Sequence, residues 1–124
     1  MARTVAEKLQ IKPGDAVFLA GADEADRVSV GAFPEGARVI EQAKDAAVSL
    51  LFAADRADLE ALLSAHLADL GAARARWIIY PKGNRTDINR DRIWRLVEDH
   101  GWSLVSNVAV DEVRSAVRMK PAAS

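Results

Sequence analysis

Ala46-Ala47-Val48-Ser49-Leu50-Leu51-Phe52-Ala53 is the stretch that decides the fold. It carries no charge and no polar/apolar alternation, the pattern of a strand covered on both faces. Asp55 follows as a candidate N-cap, and Leu59, Leu62, Leu63, His66, Leu67 and Leu70 then recur at three- and four-residue spacing up to Gly71. That spacing predicts an amphipathic helix that Gly71 ends. A strand buried on both faces and followed directly by a helix implies a crossover to a parallel neighbour.

The same pattern extends in both directions. Downstream, Trp77-Ile78-Ile79-Tyr80 reads as a strand stopped by Pro81, and Lys82 to Asp87 as a polar loop. A helix from about Ile88 to His100 places Ile93, Leu96 and Val97 on one face, with Gly101 as its stop. Trp102 to Val110 and Ser115 to Met119 are strands joined through Asp111-Glu112-Val113-Arg114, a connection short enough for an antiparallel hairpin. Upstream, Thr4 with Glu7 forms a capping box for a short helix through Gln10, and Lys12-Pro13-Gly14-Asp15 turns the chain. Ala16-Val17-Phe18-Leu19-Ala20, ended by Gly21, is the first strand; Arg38-Val39-Ile40, ending at Glu41, is the second. Ala22 to Phe33 is ambiguous, with a short helix as one reading. The expected fold class is α/β: a doubly wound, mainly parallel sheet in spatial order 2-1-3-4-6-5, strand 6 antiparallel, helices on both faces.

Composition bounds the function. With 124 residues, 50% hydrophobic and 28% charged, the expectation is one domain over residues 1–124. The absence of cysteine excludes disulfides, thiolate metal sites and a cysteine nucleophile, and with two histidines no metal site is expected. No apolar run approaches the ~20 residues that span a bilayer, so the expected location is the cytoplasm, without membrane contact. A net charge of -1 argues against a general polyanion binder, and nucleic acid is not an expected partner. The charge is nonetheless divided: residues 1–60 carry a net -4 and residues 61–124 a net +3.

Leu9-Gln10-Ile11-Lys12-Pro13-Gly14-Asp15 before the first strand, together with the closing helix, strand, loop and strand, resembles the class I methyltransferase variant of the Rossmann fold over the whole chain. More narrowly, KLQIKPG (8–14), YPKG (80–83) with DINRD (87–91), and SAVRMKP (115–121) are similar to a family of small bacterial proteins of unknown function. The methyltransferase resemblance implies a glycine-rich turn after the first strand and S-adenosylmethionine as cofactor. Gly21 and Glu41 are the residues it would engage, Glu41 holding ribose hydroxyls. Where such families carry two or three glycines this chain keeps one, and Asp23, Glu24 and Asp26 crowd the turn. No catalytic residue is assigned: His66 lies on the Leu-rich helix face as a packing residue, and His100 falls where a cation suits the helix dipole.

Pro81 to Arg90 is the densest cluster of polar and special residues. Lys82 to Arg95 holds five basic and two acidic side chains beside the N–H groups of a helix start, a combination that suits an anion. Lys82, Asn84, Arg85, Asn89 and Arg90 are the candidate ligand-binding residues. The structural alternative gives Gly83 and Asn84 to the turn, Thr86 or Asp87 to the cap, and Arg92 and Arg95 to a solvated face. Trp77 and Trp102 read as packing residues, while Trp94, flanking the apolar face, is a candidate homodimer contact. The expected function is a noncatalytic methyltransferase-like domain that binds a small anionic ligand or a protein partner, with no cofactor. The alternative is a minimal S-adenosylmethionine-dependent methyltransferase.

Overall fold

A computed structural model describes residues 4–83 and 85–121. Its six strands form one sheet: β1 (Ala16–Ala20), β2 (Arg38–Ile40), β3 (Val48–Phe52), β4 (Ala75–Pro81), β5 (Trp102–Ala109) and β6 (Arg114–Pro121). The spatial order is β2-β1-β3-β4-β6-β5, as the sequence predicts. β1 pairs in parallel with β2 and β3, and β3 with β4, whereas β6 runs antiparallel to both β4 and β5.

β3 shows why the quoted stretch carries the fold. All five of its residues are buried, alternate side chains entering opposite clusters. Val48, Leu50 and Phe52 join Ala6 and Leu9 beside α1 (Val5–Lys8), and Val30 of α2 (Glu24–Val30). Leu51 joins Leu59 and Leu63 of α3 (Arg56–His66), and Ile93 and Val97 of α4 (Arg90–Glu98). Two helices therefore cover each face. The ambiguous Ala22–Phe33 stretch contains α2, which Asp23 caps with Asp26 in a reciprocal box.

Several helix boundaries differ from expectation: α1 ends at Lys8, short of Gln10, and α4 at Glu98, short of His100. α3 ends at His66 and Leu67–Ala72 tightens into a 3-10 turn, so the helix stops short of Gly71. The tighter turn buries Leu70 and presents the carbonyls of Leu70 and Ala73 to Arg76 Nη1, at 3.2 and 3.1 Å. Arg76, nearly buried, also lies 5.0 Å from the Trp102 ring centroid; burial, with Arg118 nearby, lowers its pKa. α4 starts at Arg90 with Asn89 as cap, so neither Thr86 nor Asp87 caps it. Ile88 and Ile93 occupy the two positions of a hydrophobic staple around that cap, both buried in one cluster, and this fixes the start of the helix.

The expected packing residues pack. His66 sets its ring edge against Phe18, with centroids 5.0 Å apart. Trp77 is buried and its Nε1–H donates to Leu9 O at 2.9 Å, tying β4 to the turn after α1. No helix among the described residues is long and apolar enough to cross a membrane.

Candidate functional site

The carboxyl ends of β1, β3 and β4 point to one edge of the sheet. β6 is antiparallel to β4, so its first residue, Arg114, is brought to the same edge opposite Pro81. A cleft of about 430 Å³ opens there. Gly21 and Asp23 line it after β1, Phe52 to Ala54 after β3, and Tyr80 and Pro81 at the end of β4; Arg85, Val113 and Arg114 supply the outer wall. This is where a doubly wound sheet holds ligands, because helix starts and strand ends converge there.

Gly21 is required by the backbone. Its φ is +76°, and a Cβ added there would lie 2.5 Å from the carbonyl oxygen of Phe52 on the neighbouring strand. The chain thus turns into α2 pressed against the end of β3. Asp23 Oδ1 accepts from Asp26 N at 2.8 Å, and Asp26 Oδ2 accepts from Asp23 N at 3.1 Å. The Asp23 and Asp26 N–H groups at the start of α2 are therefore taken by each other's carboxylates.

Asp26 has a further partner. Its Oδ1 accepts from Arg114 Nε at 3.0 Å, and Arg114 Nη1 donates to Asp111 Oδ2 at 2.9 Å. All three side chains are two-thirds or more buried. Burial acts to raise the Asp111 pKa, but the Val113 and Arg114 N–H groups and the guanidinium outweigh it and hold the carboxyl below its ordinary value. Arg114 moves the other way: burial acts to lower its pKa, and bonds to Asp26 and Asp111 more than offset this. The hairpin tip is also fixed through its backbone, since Lys82 N donates to Val113 O at 2.9 Å. Tyr80 forms part of the floor, and burial pushes its phenol above the ordinary value, with Ser115 and Asn107 beside it acting against this.

The loop between β4 and α4 divides its candidate residues. Arg85, exposed, lines the cleft. Lys82 is half-buried and takes part through its backbone N–H, as above. Asn89 spends its side-chain oxygen on Arg92 N at 2.9 Å as the α4 cap. Arg90 stacks over Trp94, 5.2 Å from the ring centroid. Asn84 lies outside the described residues. Asp87 turns to the start of α3, where its Oδ1 accepts from Arg56 N at 2.8 Å, while its carbonyl accepts from Arg92 Nη1 at 2.9 Å. Gly21 and Glu41 are not brought into one cavity: Glu41 is exposed beyond β2 and does not line the cleft.

Arg114 and Tyr80 line the cleft but are not among the binding residues expected from the sequence. The topology held the signal for Arg114, because assigning β6 as antiparallel to β4 places the end of the hairpin loop on the ligand edge. The lining can perform ionic recognition beside an apolar floor. Asp26 and Asp111 engage Arg114, while Arg85 has no ion pair among the described residues and can meet an anion.

No family model and no curated protein matches the chain. Solved structures do. A protein of the NADB-Rossmann superfamily from Streptococcus agalactiae superposes with a TM-score of 0.60 at 7% identity, covering 98% of this chain and 69% of that one. The B. subtilis m1A22 tRNA methyltransferase TrmK gives 0.53 at 11% identity, covering 99% and 67%. DhpI, in complex with SAH, gives 0.55 at 10%, covering 96% and 83%. At these identities the likeness is one of fold, and the chain has the Rossmann-like fold of class I methyltransferases.

Proposed function

We propose that this chain is a noncatalytic domain of methyltransferase fold that binds a small anionic ligand in the cleft at the carboxyl edge of its sheet. The observation that carries the reading is the Asp23–Asp26–Arg114 arrangement. In a cofactor site of this architecture, the turn after β1 leaves helix-start N–H groups and open space for the ligand. Here the Asp23 and Asp26 carboxylates take two of the N–H groups at this turn, those of Asp26 and Asp23, and the bond from Asp26 to Arg114 joins α2 to the hairpin. Glu41 stands apart from the cleft, so the residues present do not fit S-adenosylmethionine. Arg85 is the cleft's uncommitted cation, and Phe52, Ile79 and Val113 give the carbon part of a ligand an apolar surface.

The test is a titration with inorganic phosphate and a panel of small carboxylates, monitored by backbone amide shifts. It compares the parent chain with Arg85→Ala and Arg90→Ala. A ligand that shifts the Gly21 and Ala53 amides, loses about tenfold in affinity with Arg85→Ala and is unaffected by Arg90→Ala supports the reading. If no anion shifts those amides, the cleft is not an anion site.

A further inference from the structure

We propose that the groove between α3 and α4 is a second anion site, separate from the cleft, that takes the phosphate group of a small phosphorylated molecule. The groove encloses about 440 Å³ and shares no lining residue with the cleft. Arg56 from the start of α3 and Arg92 and Arg95 from α4 all line it, above an apolar floor of Ile88 and Leu96. Three guanidinium forks drawn from two helices match the several acceptor oxygens of a tetrahedral phosphate dianion better than the two oxygens of a carboxylate.

Two of these arginines are held in place without using all their donors. Arg92 Nη1 donates to Asp87 O at 2.9 Å, and Arg56 Nε donates to Glu60 Oε1 at 2.6 Å. Each bond uses one N–H of a five-donor group. Arg95 makes no ion pair among the described residues. Asp87 and Asp99 also line the groove, and the Asp87 carboxylate accepts from the Arg56 backbone N–H. The carbon portion of the ligand would rest on Leu96 and the edge of Ile88. The surroundings favour one phosphate over a chain of them. Glu60 on α3, Asp91 and Glu98 on α4, and Asp99, the α4 C-cap that lines one end of the groove, surround the arginines, and a polyanion crossing the surface would meet them.

The probes are phenyl phosphate and inorganic phosphate, titrated while amide shifts are recorded. Saturable shifts of the Arg56, Ile88 and Arg95 amides are expected, with phenyl phosphate binding more tightly than inorganic phosphate. Arg95→Gln, which removes a side chain bound to nothing else in the described structure, should weaken phenyl phosphate about tenfold without changing the melting temperature. Arg85→Ala should leave this binding intact, which separates the groove from the cleft. Shifts confined to cleft amides, no saturable shift, or an Arg95→Gln affinity equal to the parent would overturn the proposal. So would displacement of phenyl phosphate by a single-stranded oligonucleotide at lower concentration with steep salt dependence, since the surface would then be a nucleic-acid interface.

Discussion

Arg114 of β6 and Asp26 of α2 lie 88 residues apart in the chain and 3.0 Å apart in space. The antiparallel last strand makes this meeting possible, because it delivers its first residue to the edge where every parallel strand ends. The ion pair thereby joins the first crossover helix to the final hairpin.

That pair should be measurable as coupling. In a double-mutant cycle of Asp26→Asn and Arg114→Ala, the interaction energy is expected to be about 1 kcal/mol, above that of a fully exposed pair because the side chains are mostly covered. Urea denaturation of the four proteins measures it. Additive single effects would show that the contact contributes nothing.

Gly21→Ala should be among the most harmful small substitutions. The positive φ costs about 1 kcal/mol for a residue with a Cβ. The contact with Phe52 O adds strain that neither backbone can relieve cheaply, so a total loss of about 3 kcal/mol is expected. Gly83→Ala is the control, since it has a similar φ of +81° but no atom near its added Cβ. Equal Tm losses for the two variants would remove the close-approach argument.

Acid should destabilise the fold in a defined window. Asp15 titrates below its ordinary value of 3.8, held down first by its bond with Arg74, at 2.6 Å, while burial opposes this. Asp111 is lowered as well. A depressed folded-state pKa means that the unfolded chain binds more protons, so this stabilisation is complete above the unfolded value and is lost as pH falls through the lower folded values. The urea midpoint should therefore fall below about pH 4. Asp15→Asn should make the fall shallower. A slope unchanged by Asp15→Asn would contradict the assignment to that residue.

The strands were legible because β1, β3 and β4 are covered on both faces, which leaves predominantly apolar runs, AVFLA in β1, LLF in β3 and WIIY in β4, without polar/apolar alternation. Boundaries were harder to read for local reasons. Thr86, Asp87 and Asn89 can each cap a helix, and only the burial of Ile88 beside Ile93 selects Asn89. Gly71 marks a stop only where a left-handed residue ends the helix, and here the 3-10 turn runs through it. In the site, loop composition singled out Arg85, which lines the cleft, together with Arg90 and Asn89, which the structure commits to stacking on Trp94 and to capping α4. Those assignments depend on where the helix begins. Arg92 and Arg95 read as a solvated face in one dimension, and only the approach of α3 turns that face into a groove.

If Asp23, Asp26 and Arg114 close the cleft to the cofactor, as proposed, the chain should not bind S-adenosylmethionine. Titration of the full chain with S-adenosylmethionine and S-adenosylhomocysteine, followed by backbone amide shifts, tests it most directly. No saturable shift at Gly21 or Glu41 is expected for either compound. Saturable shifts of both amides with tight binding would contradict it and restore the methyltransferase reading.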